Sequence, residues 1–113
     1  MNAETVQEAA KARERVNDLY RKGQFSEAVK AYEKAAQLVP SDPYPLSNLS
    51  AAHFEAGRYS ECVNSTVKAL GLLKAETGTN APRKRLLVRQ AKAYLHLSRL
   101  DEAEEILGQL DAD

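Results

Sequence analysis

The sequence predicts an all-α fold: a solenoid of three helix–turn–helix units in one domain, residues 1–113. Three observations carry this. Gly23-x-Phe25-x-x-Ala28 returns as Gly57-x-Tyr59-x-x-Cys62, and Ala35 returns as Ala69, an interval of 34 residues. Self-similarity at such a period marks stacked supersecondary units. A shifted copy, Ser98-x-Leu100-x-x-Ala103, follows 41 residues after Gly57, so seven residues are inserted before the third unit. Finally, the segments between these echoes are of helix length and are closed by glycine or proline.

The first helix is expected from about Glu4 to Lys22, with Gly23 as its stop because glycine tolerates the left-handed conformation. The second runs from about Ser26 to Val39 and ends at Pro40. Ser-Asp-Pro-Tyr-Pro then starts a third helix, from about Pro45 to Ala56, since proline is tolerated in a first turn. Gly57 stops it, and the fourth helix spans about Ser60 to Glu76. Thr77-Gly78-Thr79-Asn80-Ala81-Pro82 is polar, holds a glycine and closes on a proline, and is expected to be a loop. The fifth helix covers about Arg83 to Leu97, Ser98 replaces the turn glycine, and the sixth covers about Leu100 to Leu110. The repeats are thus expected at about 9–42, 43–76 and 84–113.

The repeated positions have packing reasons. Ala28, Cys62 and Ala103 are small, so the two helices of a unit approach closely. Phe25, Tyr59 and Leu100 are expected to fill the gap beside the turn. Tyr32, Thr66 and Leu107, one helical turn on, are expected to face the next unit. The last helix carries Leu100, Ala103, Ile106, Leu107 and Leu110 with no capping helix after it. Its open face is expected to meet solvent, a second copy by self-association, or a continuation of the chain.

The totals exclude several classes. No apolar run reaches the ~18 residues that span a membrane, and the N-terminal residues lack the basic start and apolar stretch of a secretory signal. The sequons at Asn48-Leu49-Ser50 and Asn64-Ser65-Thr66 are therefore expected to stay unmodified. One cysteine, Cys62, rules out an internal disulfide and fits a reducing compartment, the cytoplasm or nucleus. Its small packing position reads as a buried thiol rather than a nucleophile. Formal net charge is zero, but residues 83–92 hold five bases and no acid, while the chain from Leu100 holds six acids and no base. Lacking interleaved aromatics and an overall basic charge, this run does not read as a nucleic-acid surface. His53 and His96 have no partner at metal-ligand spacing, and no phosphate loop, nucleophile elbow or carboxylate pair suggests catalysis or a cofactor.

In this architecture the first helix of each unit faces an inner surface. Arg13 and Asn17 lie one turn apart on the first such helix, Asn48 lies on the second, and Arg85 and Arg89 lie one turn apart on the third. The pattern resembles the dicarboxylate clamp of tetratricopeptide-repeat co-chaperones, over about residues 8–110. That family has Lys and Asn one turn apart, an Asn in the second unit, and Lys and Arg one turn apart in the third. Arg13 and Arg85 depart from it by replacing lysines, which keeps charge but substitutes a planar fork for an ammonium. The resemblance implies a right-handed solenoid. It also implies binding of the acidic C-terminal Glu-Glu-Val-Asp tail of ninety- or seventy-kilodalton heat-shock chaperones. Tyr20 and Phe54 match apolar positions of the family groove, and Lys92, one turn beyond Arg89, is placed to meet a preceding glutamate.

The chemistry agrees with that implication. A C-terminal aspartate offers two neighbouring carboxylates, and amide and guanidinium donors satisfy them without excess charge. Asparagine inside a helix is mildly unfavourable, so two at matching inner positions need a reason. Against this stands the plainer reading of arginines and lysines as solvated helix faces. The chain is then a general repeat scaffold holding another protein partner. Neither reading involves an enzyme, a metal, a nucleic acid or a membrane.

Overall fold

Each first helix of a pair ends in the same backbone device. Gly23, Gly57 and Ser98 all adopt positive φ, at 76°, 77° and 59°. At the first turn the Gly23 N–H donates to Tyr20 O and the Gln24 N–H to Leu19 O. At the second, Gly57 donates to Phe54 O and Arg58 to His53 O, and at the third Ser98 donates to Leu95 O and Arg99 to Tyr94 O. These paired reverse bonds form the Schellman motif, which satisfies the last carbonyls of a helix while reversing the chain. Serine thus takes the role of glycine in the third unit, as its position predicts.

The computed structural model describes residues 3–73 and 81–112; the side chains of residues 3–6, 9, 12, 13, 16 and 112 lie outside that description. Six helices follow: α1 (Ala3–Arg21), α2 (Phe25–Leu38), α3 (Pro43–Glu55), α4 (Tyr59–Leu73), α5 (Ala81–His96) and α6 (Leu100–Ala112). The third helix starts two residues before the expected Pro45. The Asp42 carboxylate accepts the Tyr44 N–H at 3.0 Å as an N-cap, so both prolines fall in the first turn. Ala81 and Pro82 likewise open α5 rather than close a loop. The expected end of the fourth helix and the rest of that loop, residues 74–80, lie outside the described residues. α5, with 16 residues against 13 in α3, holds three of the seven inserted residues, and the other four precede Ala81.

Consecutive helices pack on one another, and α3 also touches α5, so α1, α3 and α5 form one layer and α2, α4 and α6 the other. The stack measures 43 × 33 × 18 Å. Ala28, Cys62 and Ala103 are fully or almost fully buried, as are Ala35 and Ala69, which lets the paired helices close up. Tyr32 joins Val29, Leu49 and Ala52 in the cluster between the first two units. Thr66 faces the third unit: its hydroxyl donates to Val63 O at 2.7 Å and accepts from Gln90 Nε2 at 3.2 Å. A second cluster holds Cys62, Val63 and Ala93, and a third Leu87, Ala91 and Ile106.

One packing expectation is corrected. Leu100 does not fill the gap beside the third turn; it is 60% exposed. Phe25 and Tyr59 reach back across their turns to pack edge-on against Tyr20 and Phe54. The third unit has leucine at both corresponding positions, Leu95 and Leu100, so the ring pair is absent and both stay exposed; the guanidinium of Arg99 lies over Tyr94, 5.2 Å from the ring centre. The apolar face of α6 is correspondingly split. Ala103 and Ile106 are buried and Leu110 packs on the third cluster, whereas Leu100 and Leu107 are exposed.

Candidate functional site

The inner layer forms a groove made of two adjoining hollows. One, about 440 Å³, is bordered by Asn17, Tyr20, Arg21, Tyr32, Asn48 and Ala51. The other, about 410 Å³, lies against α5 and shares Tyr20 and Ala51 with the first. Helical periodicity explains the grouping. On α5, Arg85, Val88, Arg89 and Lys92 recur at spacings of three and four and so share one face, with Lys84 at its edge.

The sequence-predicted residues divide between the two hollows. Asn17 and Asn48, from α1 and α3, stand at one. Arg85, Arg89, Lys92 and Phe54 stand at the other, and Tyr20 stands between. The side chain of Arg13 lies outside the described residues. The second hollow has four cations, Lys84, Arg85, Arg89 and Lys92, against one carboxylate, Glu55. Its potential is therefore positive although the chain is neutral.

Arg89 is not a freely extended cation. Its Nη1 donates to Ser47 O at 3.2 Å and to Ser50 Oγ at 3.0 Å, both on α3. Burial pushes its pKa down, with Arg85 contributing in the same direction and Cys62, Tyr20 and Glu55 opposing. It remains a cation, since guanidinium keeps its proton in proteins. Burial also raises the Tyr20 phenol, with Glu55 adding to the rise and Arg89 opposing it. Phe54 is held by a ring cluster: it meets Tyr59 and His96 edge-on, and Tyr59 and His96 stack with centroids 4.2 Å apart. His96 thus lies beside the groove.

Several participants escaped the sequence reading, among them Lys84, Val88, Glu55 and Ser50. Lys84 and Val88 were legible as the i, i+4 continuation of Lys92. Glu55 and Ser50 carried no such signal: Ser50 meets Arg89 across 39 residues, through the stacking of α3 on α5. Among the described residues no group of three or more His, Cys, Asp or Glu is arranged to hold a metal ion. No helix among them is long and apolar enough to cross a membrane.

Residues 17–61 match the family model of the TPR repeat. The chain is 37% identical over 62 residues to the Hsp70-Hsp90 organizing protein of Triticum aestivum, covering 55% of this chain and 11% of that protein. It spans between 8% and 18% of the length of the curated relatives it matches. The N-terminal domain of stress-induced protein-1 from C. elegans superposes with a TM-score of 0.86 at 25% identity, covering 96% of this chain and 85% of that one. The second TPR of Spaghetti (RPAP3), solved bound to the HSP90 peptide SRMEEVD, superposes at 0.77 and 19% identity, covering 90% and 88%. Repeat match, relatives and fold agree: residues 17–61 carry a TPR repeat, and the chain as described has the helical-solenoid fold of the TPR structures on which it superposes.

Proposed function

We propose that the groove binds the acidic C-terminal Glu-Glu-Val-Asp tail of a ninety- or seventy-kilodalton heat-shock chaperone. The chain then serves as the docking module of a cytoplasmic co-chaperone or adaptor. The observation that carries this reading is the meeting of Asn17 and Asn48 with a cation-rich face of α5 on one continuous wall. Relatives of the Hsp70-Hsp90 organizing type and a fold neighbour bound to an HSP90 tail support it.

The terminal aspartate presents its main-chain and side-chain carboxylates. Asn17 and Asn48 donate to them without adding charge. Arg89 keeps three of its five N–H donors after its two bonds to α3. Arg85 and Arg13 supply further charge-assisted bonds, each netting about 1.5–3 kcal/mol before ordering costs. Tyr20 and Phe54 cover the tail's apolar side chain, and Lys92 meets an upstream glutamate. Immobilising a five-residue tail consumes much of that gain. An affinity of roughly 1 μM, about −8 kcal/mol, is expected.

Calorimetric titration with Met-Glu-Glu-Val-Asp and with its C-terminal amide tests the proposal. The free acid is expected to bind at least about tenfold more tightly, and Asn17→Ala to lose about 1.4 kcal/mol or more. Equal binding of acid and amide, or none of the acid, would return the chain to a general scaffold for another partner.

A further inference from the structure

We propose that Ser50 is a positioning residue that presets Arg89 for its ligand, an inference that rests on the carboxylate-binding reading above. Ser50 is fully buried, a site where a serine needs partners for its hydroxyl. Its Oγ donates to Ser47 O at 2.6 Å, which fixes the direction of its lone pairs. One lone pair then accepts Arg89 Nη1 at 3.0 Å, and Ser47 O accepts the same nitrogen at 3.2 Å. A single guanidinium nitrogen is therefore held by two acceptor atoms that are themselves hydrogen-bonded, from residues one helical turn apart on α3, which fixes the position of the planar group.

The consequence is a division of labour within one side chain. Nη1 is committed to α3, and the remaining donors, on Nη2 and Nε, are available to a ligand. A long arginine loses rotamer freedom when it binds, and that loss weakens association. Here the loss is taken on folding instead. Burial depresses the Arg89 pKa, in keeping with a group already withdrawn from water before a ligand arrives. By contrast Arg85, one turn earlier on α5, is exposed. Arg89 is thus the fixed donor of the pair and Arg85 the adaptable one.

The test combines tail affinity with a readout that needs no tail. In the whole chain Ser50→Ala is expected to weaken binding of Met-Glu-Glu-Val-Asp about fivefold, as a preorganised donor is lost. Introduced into Arg89→Ala, the same change is expected to do nothing further. Loss of affinity that is equal with and without Arg89 would show a general packing role and overturn the proposal, as would no loss at all. NMR of the arginine side chains decides it independently. The guanidinium of Arg89 is expected to rotate slowly in the unliganded protein and to become averaged in Ser50→Ala. Fast rotation in the parent protein overturns the proposal. Should the parent bind no tail while this coupling is seen, the groove's ligand has been misread and the Ser50–Arg89 coupling stands. If Ser50→Ala does not fold, Ser50→Cys preserves the volume while weakening the acceptor and is measured in its place.

Discussion

His53 on α3 and Cys62 on α4, both buried in the second unit, illustrate what burial does to a titratable side chain. His53 is 8% exposed, and among the described residues its Nδ1 has no hydrogen-bond partner. An unmatched buried polar atom costs about 1–3 kcal/mol. Burial pushes the imidazole pKa below its ordinary value; Arg58 acts the same way, while Glu61 and Glu33 oppose. A depressed folded-state pKa means that the unfolded chain binds the proton more readily. The contribution to stability is therefore whole above about pH 6.5 and erodes as pH falls below it. His53→Phe removes both the orphan atom and the titration. Urea midpoints are expected to show a gain of about 1 kcal/mol at pH 7 and a flatter decline toward pH 5.5; an unchanged decline would exclude His53 as its source. Cys62 shows the same force on an acid. Burial raises its thiol to about 11, against a weaker opposing effect of Arg89. A disulfide reagent at pH 7.5 is expected to leave the folded thiol unmodified and to react once urea is added.

The turns are the elements whose chemistry is most exposed to test. A Cβ at Gly57 would meet nothing within 4 Å, so space does not demand glycine there; the backbone angle of 77° does. Gly57→Ala is thus expected to cost about 1–2 kcal/mol through conformation alone. Ser98→Gly should do the reverse, relieving a left-handed serine and adding about 0.5–1 kcal/mol after the entropy of the unfolded glycine is subtracted. Thermal melts compare the two directly, and stabilisation by Gly57→Ala would refute the conformational account. These same residues show why the fold was readable. Gly23, Gly57 and the small positions Ala28 and Cys62 recur at a fixed interval because each unit solves one local problem, and local problems leave local signals. Helix starts were less legible, since Asp42 had to outcompete Pro45 as the marker. Leu100 misled because its pattern match hid the loss of its partner: Leu95 stands where Tyr20 and Phe54 stand in the other units. Within the site, Arg85, Arg89 and Lys92 were visible as a stripe on one helix. The anchoring of Arg89 by Ser50 was not, because it depends on how α3 meets α5.

At the scale of the molecule, neutrality conceals separation: α5 carries no acid and α6 no base. The groove draws on α1, α3 and α5, which belong to different repeats. In a stack held together mainly by neighbour contacts, each unit can open with some independence, and the end units open most easily. A ligand touching all three inner helices couples them, because opening either end releases it. Tail peptide at a hundred times its Kd is expected to stabilise the fold by about 2.7 kcal/mol, raising Tm by roughly 10 °C for a domain of this length. The amidated peptide at the same concentration should do far less. Amide hydrogen exchange resolves where the gain falls. Slower exchange is expected in α1 and α5 together, since in the proposed complex Asn17 and Arg89 hold opposite sides of one carboxylate pair. Slowing confined to α5 would mean that the tail is held by the basic face alone. The asparagines would then be bystanders, and the added stability would vanish at about 0.5 M salt, where exposed charge contacts are screened within a few ångströms.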